Sequence, residues 1–208
     1  MDGVIFDSMP YHARAWSEAF SNIGLHFTEY QVYLQEGSTS SMTVNQVFSE
    51  QKGRLATEDE VHAIYEDKCR IFQHCGPAKP MPYMRELLEL LKNRGYIIGI
   101  VTGSGQKSLL DTLGHHYPGI FSKERMVTAY DVKQGKPFPE PYLKGLQKCG
   151  VTAAEAVVVE NAPMGVQAAK AAGIYTIAVN TGILENQVLE AAGADVVYDS
   201  VEDLYKSL

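Results

Sequence analysis

The sequence predicts an α/β fold: a mainly parallel sheet flanked by helices, with an inserted all-helical block near its start. Three observations predict it. Apolar runs of the kind buried on both faces recur after residue 95, with helical segments between them. Residues 10–76 carry only the period of amphipathic helices. Pro77, Pro80 and Pro82 punctuate the chain where the first pattern gives way to the second. The expected division is therefore 10–76 for the helical block, with 1–9 and 77–208 forming the core.

Taken in order, Asp2-Gly3-Val4-Ile5-Phe6-Asp7-Ser8 places an acid on a glycine turn. Pro10 suits a first helical turn, Ala13, Trp16, Phe20 and Ile23 follow at helical spacing, and Gly24 stops the run. Thr28 with Gln31 reads as a capping box for a second helix that stops near Gly37. A third helix runs over Met42, Val44, Val47 and Phe48 to Gly53. Thr57 with Glu60 starts a fourth, carrying Val61, Ile64, Tyr65 and Phe72 and ending at Gly76. Beyond the prolines, Leu87, Leu88 and Leu91 mark a helix closed by Gly95, and Tyr96–Val101 reads as a continuous strand. Further strands are expected at Met126–Ala129, Ala156–Val159, Thr176–Val179 and Val196–Tyr198.

The 208 residues suffice for one sizeable core with a modest insertion. A net charge of −7 argues against non-specific nucleic-acid binding and against a polybasic membrane surface. It leaves anionic small substrates open, because a bound metal reverses the local field. No apolar run is long enough to span a bilayer, and Met1-Asp2-Gly3 lacks the basic start and apolar stretch of a secretory leader. Cys69, Cys75 and Cys149 are an odd number, and Cys69 and Cys75 with His74 fit no zinc spacing. They read as free thiols of a cytoplasmic protein.

In open α/β sheets, sites form at the carboxyl ends of strands. After Val101 comes Thr102-Gly103-Ser104-Gly105, a hydroxyl and glycines that offer an oxygen and free N–H groups to an anion, or a plain strand-to-helix turn. After Ala129 comes Gly135-Lys136-Pro137-Phe138-Pro139, a lysine locked in a rigid loop, suited to a phosphate that gains charge in transit or merely solvated. After Val159, Glu160-Asn161 supplies hard oxygen ligands for Mg²⁺, and Asn161 with Pro163 also suits a helix start. Each signal is weak alone. Their order along the chain describes phosphoryl transfer.

These four segments resemble the haloacid dehalogenase superfamily, specifically its β-phosphoglucomutase-like branch with a small helical cap. Met1–Ser8 is similar to the first family motif, Thr102 to the second, Lys136 to the third and Glu160-Asn161 to the fourth; Tyr11–Trp16 is similar to the helix after motif one. The resemblance implies a Rossmann-like core with 10–76 as the cap. It implies that Asp2 is general acid and base and lends its carbonyl to Mg²⁺ together with Glu160 and Asn161. Thr102, with Gly103 and Ser104, would hold phosphoryl oxygens, and Lys136 would bridge nucleophile and phosphoryl group. His12 could orient Asp2 by a hydrogen bond, or serve as a structural cap of the hinge.

The family's nucleophile, an aspartate that forms an aspartyl-phosphate, stands two positions before Asp2, ahead of Met1. The chain from Met1 is therefore expected to be inactive, with Met1 an internal methionine and the central strand lying upstream. Asn161 stands where the family usually has Asp. The cap loop reads Glu36-Gly37-Ser38-Thr39-Ser40-Ser41, with no arginine for a distal phosphate. That favours a hydrolase of a small phosphate ester or pyrophosphate over a bisphosphate-handling mutase, with an inactive phosphate- or partner-binding homologue as a further alternative. Lys68 and Arg70 on the last cap helix either supply positive charge to the substrate or form a solvated face. The expected partner is a small phosphorylated metabolite, with neither nucleic acid nor membrane, and the expected state is a monomer.

Overall fold

The structure, a computed structural model, describes residues 1–104 and 109–208. Gly105 of the predicted glycine turn lies outside the described residues. The helical block consists of α1 (Met9–Ser21), α2 (Glu29–Leu34), α3 (Ser40–Lys52) and α4 (Glu58–His74), with no strand between residues 9 and 74. Local chemistry accounts for its helix ends. Pro10 lies in the first turn of α1. Thr28 with Gln31 and Thr57 with Glu60 form reciprocal capping boxes. Gly53 closes α3 in the left-handed conformation, which costs glycine no Cβ clash.

The block enters and leaves the core through a two-residue antiparallel ribbon. Strand β1 (Phe6–Asp7) precedes it and β2 (Lys79–Pro80) follows it, with Phe6 opposite Pro80 and Asp7 opposite Lys79. Met81 N–H donates to the Ile5 carbonyl (2.9 Å), extending the clasp.

The core continues with α5 (Met84–Asn93), β3 (Ile100–Val101), α6 (Leu109–His116), β4 (Met126–Val127), α7 (Glu140–Cys149), β5 (Val157–Glu160), α8 (Pro163–Ala171), β6 (Tyr175–Val179), α9 (Asn186–Ala191), β7 (Val196–Tyr198) and α10 (Val201–Lys206). Its strands pair in parallel, in the groups β3–β4 and β5–β6–β7. One apolar cluster joins Ile100 and Met126 of the first group to Val159, Ile177 and Val179 of the second, with Val4, Ile5 and Phe6 among them. The Tyr117 hydroxyl donates to the Ile5 carbonyl (3.0 Å) and ties the end of α6 to this N-terminal turn.

The strand expected over Tyr96–Val101 is a correction: only Ile100 and Val101 pair. A strand extends only as far as its neighbour offers a ladder, and a 3₁₀ turn at Lys123–Arg125 leaves β4 two residues. Tyr96 and Ile97 are consequently exposed. The apolar run recorded β-propensity; the partner strand set the length.

The helical block has a cluster of its own, built from Trp16, Phe20, Phe27, Val44, Phe48 and Ile64, which also receives Leu184 from the core. Phe20 is fully buried, stacked on Trp16 at 5.6 Å between ring centroids and edge-on to Phe27 at 5.2 Å. Phe20→Ala is expected to cost about 3–5 kcal/mol by cavity formation. Hydrogen exchange checks the location: amides of α1–α4 should lose protection, while those of β5 and β6 hold theirs.

Candidate active site

Four segments distant in sequence meet where the β3 and β5 strand ends face the helical block. The first is the turn at Asp2. Gly3 adopts a φ of 70°, and the Met1 carbonyl accepts from the N–H groups of Val4, Ile5 and Phe6, curling the chain tightly. Ser8 Oγ donates to Asp2 Oδ1 (2.6 Å), and His12 Nε2 lies 3.3 Å from the same oxygen. Burial pushes the Asp2 carboxyl up, but the charge and hydrogen bond of His12, the Met1 amine and Ser8 outweigh it. They hold Asp2 well below the usual carboxylate range. The His12 ring rests 4.4 Å from the Phe72 ring of α4, so one histidine spans the turn and the helical block.

The second and third segments form a buried ion pair. Lys136 and Glu160 are 5 % and 4 % exposed, and the Lys136 ammonium donates to Glu160 Oε1, as does the Tyr142 hydroxyl. Glu160 Oε2 accepts from the Asn161 N–H (3.1 Å). Burial raises the Glu160 carboxyl, yet Lys136 and the hydrogen bonds bring it below its ordinary value. Tyr142 is pushed far up by burial and by the carboxylate it faces. A Cβ at Gly165 would overlap the Glu160 carboxylate, so this glycine of α8 makes room for the pair. A Cβ at Gly3 would likewise fall on the Asn161 amide, which places that amide against the Asp2–Gly3 turn.

The fourth segment is the Thr102 turn. Thr102 is buried, its N–H donates to the Val127 carbonyl (2.9 Å), and its Oγ1 accepts from the Ser104 N–H (3.1 Å).

The loop after α2 covers these elements. A Cβ at Gly37 would come within 2.8 Å of Lys136 Cδ, and one at Gly103 within 3.3 Å of the Gly37 carbonyl. The same loop brings Glu36 within electrostatic reach of His12, Asp2 and Lys68, and burial pushes its carboxyl up. Lys68 corrects the solvated-face reading. It is 7 % exposed, its ammonium 5.0 Å from the Phe72 ring centre and 5.6 Å from that of Trp16. Burial lowers its pKa against the pull of Cys69, Glu36 and Asp2. Arg70 stays outside, paired with Asp67 on its own helix at 2.5 Å.

The structure thus gathers Asp2, His12, Glu36, Lys68, Thr102, Gly103, Lys136, Glu160 and Asn161 about the Gly37 loop. Sequence reasoning gave no role to Ser8, Tyr142 or Gly165. Ser8 stood in the first motif, but the partners of Tyr142 and Gly165 are set by packing alone. Among the described residues no group of three or more His, Cys, Asp or Glu side chains is arranged to hold a metal, and the three cysteines are free. Among those residues, too, no helix is long and apolar enough to cross a membrane.

The family model described as haloacid dehalogenase-like hydrolase matches residues 1–173. "Phosphorylated carbohydrates phosphatase" of Thermotoga maritima is 30 % identical over 93 % of this chain and 89 % of its own length. "Hexitol phosphatase A" of Escherichia coli is 29 % identical over 98 % and 90 %. A Bacteroides vulgatus structure provisionally called a beta-phosphoglucomutase superposes with a TM-score of 0.96 at 48 % identity, covering all of this chain and 84 % of that one.

The buried pair makes stability depend on pH in a direction that Lys136 sets. In the native protein the Glu160 pKa is lowered, so its contribution is present above the unfolded value and lost as pH falls. Lys136→Met leaves the carboxylate buried without its cation, at about 3–5 kcal/mol near neutrality. Burial then raises the Glu160 pKa, and the variant should gain stability as pH drops from 7 toward 5. Across that window the pair's contribution in the parent protein stays level, being lost only below the ordinary carboxylate pKa, so the thermal midpoint of the variant relative to the parent should rise as pH falls from 7 to 5.

Proposed function

Because the chain belongs to the haloacid dehalogenase-like hydrolases, we propose that it is a Mg²⁺-dependent phosphatase of a small sugar or polyol phosphate, acting through an aspartyl-phosphate. The observation that carries this reading is the convergence of Asp2, the Thr102 turn and the Lys136–Glu160 pair beneath the loop that bears Glu36. The names of the Thermotoga maritima and Escherichia coli relatives, a phosphorylated carbohydrates phosphatase and a hexitol phosphatase, support a carbohydrate phosphate as substrate class. Residues 10–76 act in this reading as a cap over the site, hinged at the β1–β2 ribbon and excluding water when seated.

Lys136 fixes positive charge where the transferring phosphoryl group sits, and the Thr102 hydroxyl, held by the Ser104 N–H, receives one of its oxygens with the Gly103 N–H. Asp2 stands ionised, the form that takes a proton from an attacking water. To donate to the leaving oxygen it must first gain a proton, and His12 Nε2 is the neighbouring group able to pass one. Glu160, the Asn161 amide oxygen and the Asp2 main-chain carbonyl are hard oxygen donors, and the Asn161 side chain lies against the Asp2–Gly3 turn with its nitrogen toward Gly3. They fit Mg²⁺, which when bound neutralises phosphoryl charge.

The attacking carboxylate belongs, in this reading, two positions before Asp2. Met1 is half-buried, its main-chain nitrogen within electrostatic reach of Lys136, Asp2 and Glu160, so a residue joined to it would emerge there. A protein extended upstream to that aspartate should hydrolyse hexitol and hexose phosphates with Mg²⁺ and stop when the metal is chelated. The chain started at Met1 should lose about 10³–10⁶ of that rate. Full turnover from the Met1 start would overturn the nucleophile assignment. A phosphate-transfer mutase is the second reading, favoured by the 48 % identity to the Bacteroides vulgatus protein. Against it, loop 36–41 presents an acid and hydroxyls where a second phosphate would need a cation. Measured phosphate release against sugar-phosphate isomerisation separates the two.

His12→Gln tests the proton route. Loss of the imidazole removes a cause of the low Asp2 pKa, so the limb of the pH–rate profile that reports Asp2 should move to higher pH. Turnover should fall while the thermal midpoint changes little. Matched losses would assign His12 to the hinge alone.

A further inference from the structure

The segment 180–185, between β6 and α9, touches the helical block and the Asp2 turn at once. Toward the turn, the Thr181 hydroxyl donates to the Gly3 carbonyl (2.5 Å). Toward the block, Leu184 is buried in the cluster of Trp16, Phe20 and Phe27. A Cβ at Gly182 would meet the Tyr33 ring at 2.5 Å, so the backbone there lies close against that ring. Glu185 Oε2 accepts from the Tyr30 hydroxyl (2.9 Å). Tyr30 and Tyr33 both belong to α2, the helix whose trailing loop carries Glu36.

Six residues outside any helix or strand make a poor reference on their own. Asn180 stiffens them. Its N–H donates to the Tyr198 carbonyl (2.8 Å), and its side-chain nitrogen donates to the Leu184 carbonyl (2.7 Å) and to Asn186 Oδ1 (2.6 Å). Asn186 in turn donates to Asp199 Oδ1 (2.8 Å). The segment is thereby closed on itself and fastened to β7 and α9, both elements of the core.

An acid–base carboxylate loses much of its effect when displaced by about 1 Å, so the Asp2 turn and whatever covers it need a common reference. We propose that segment 180–185 is that reference: a seat on the core that aligns the helical block with the Asp2 turn, Thr181 positioning Asp2 through the Gly3 carbonyl and Leu184 receiving the block. This rests on the reading of Asp2 as acid and base and of residues 10–76 as a cap, and it assigns the alignment of the two to a third element. One consequence is specific to it. The Asn180 side chain bonds to neither the block nor the turn, yet its loss should loosen both.

Hydrogen exchange on the 208-residue chain tests the seat without recourse to activity. Thr181→Val should speed exchange of the Val4, Ile5 and Phe6 amides, which donate to the Met1 carbonyl, about tenfold and leave α2 protected. Thr181→Ser keeps the hydroxyl and should restore the turn. Leu184→Ala should do the reverse of Thr181→Val, loosening α2 and sparing the turn. Asn180→Ala should loosen both while the amides of β5 and β6 hold. The kinetic arm uses the protein extended upstream to its nucleophilic aspartate, with sorbitol 6-phosphate as substrate. There Thr181→Val should lower kcat about tenfold at unchanged KM, and Leu184→Ala should raise KM. An undisturbed turn in Thr181→Val or in Asn180→Ala, or a Thr181→Ser variant no better than Thr181→Val, would overturn the seat. Absence of hydrolysis by the extended parent would count against the phosphatase reading, and the exchange pattern would still decide the seat.

Discussion

The buried contact between Lys136 and Glu160 is the constraint around which the site is arranged. Two charges at 5 % and 4 % exposure are tolerable only as a pair with their remaining lone pairs occupied. Tyr142 and the Asn161 N–H occupy them, and Gly165 gives the carboxylate its room. The pair joins the loop after β4 to the end of β5, and the stem of Lys136 becomes the floor on which Gly37 rests. Glycine at position 37 is therefore a packing requirement of the lysine beneath it as much as a turn requirement.

The helical block meets this floor with opposing charges of its own. Glu36 and Lys68 converge on Asp2 from α2's trailing loop and from α4, and His12 joins them from α1. The site is thus completed by elements that pack in a separate hydrophobic cluster and are tethered to the core through the short β1–β2 ribbon. In the proposed capping motion the charges of Lys136 and Glu160 would stay with the core, and those of Glu36 and Lys68 would move with the block. Tyr30, which donates to Glu185 (2.9 Å), and Tyr33, against which Gly182 packs, are further contacts that such motion would make or break.

Much of the local structure is legible in the sequence. Capping boxes at Thr28 and Thr57 and the glycine at 53 mark helix ends by backbone chemistry that acts within four residues. The strand-end residues Thr102, Lys136 and Glu160 were legible for a different reason: a parallel sheet delivers successive carboxyl ends to one edge, so order along the chain becomes proximity in space. Strand length was not legible. Tyr96 and Ile97 have β-propensity, but the two residues of β4 decide that only Ile100 and Val101 pair.

By itself, then, the sequence determined the α/β class, the helical insertion and the absence of a cation in loop 36–41, since each depends on periodicity, caps or residue type. Only the tertiary structure decided that Lys68 is buried over Phe72 and Trp16 while Arg70, two residues on, pairs outside with Asp67. Which face of α4 meets α1 is a packing outcome, and a lysine's long stem reads the same on either face. Likewise only the fold brought Tyr142 to Glu160 and left Gln35 Oε1 without a partner, because burial and satisfaction of a polar atom are properties of its neighbours and not of the residue.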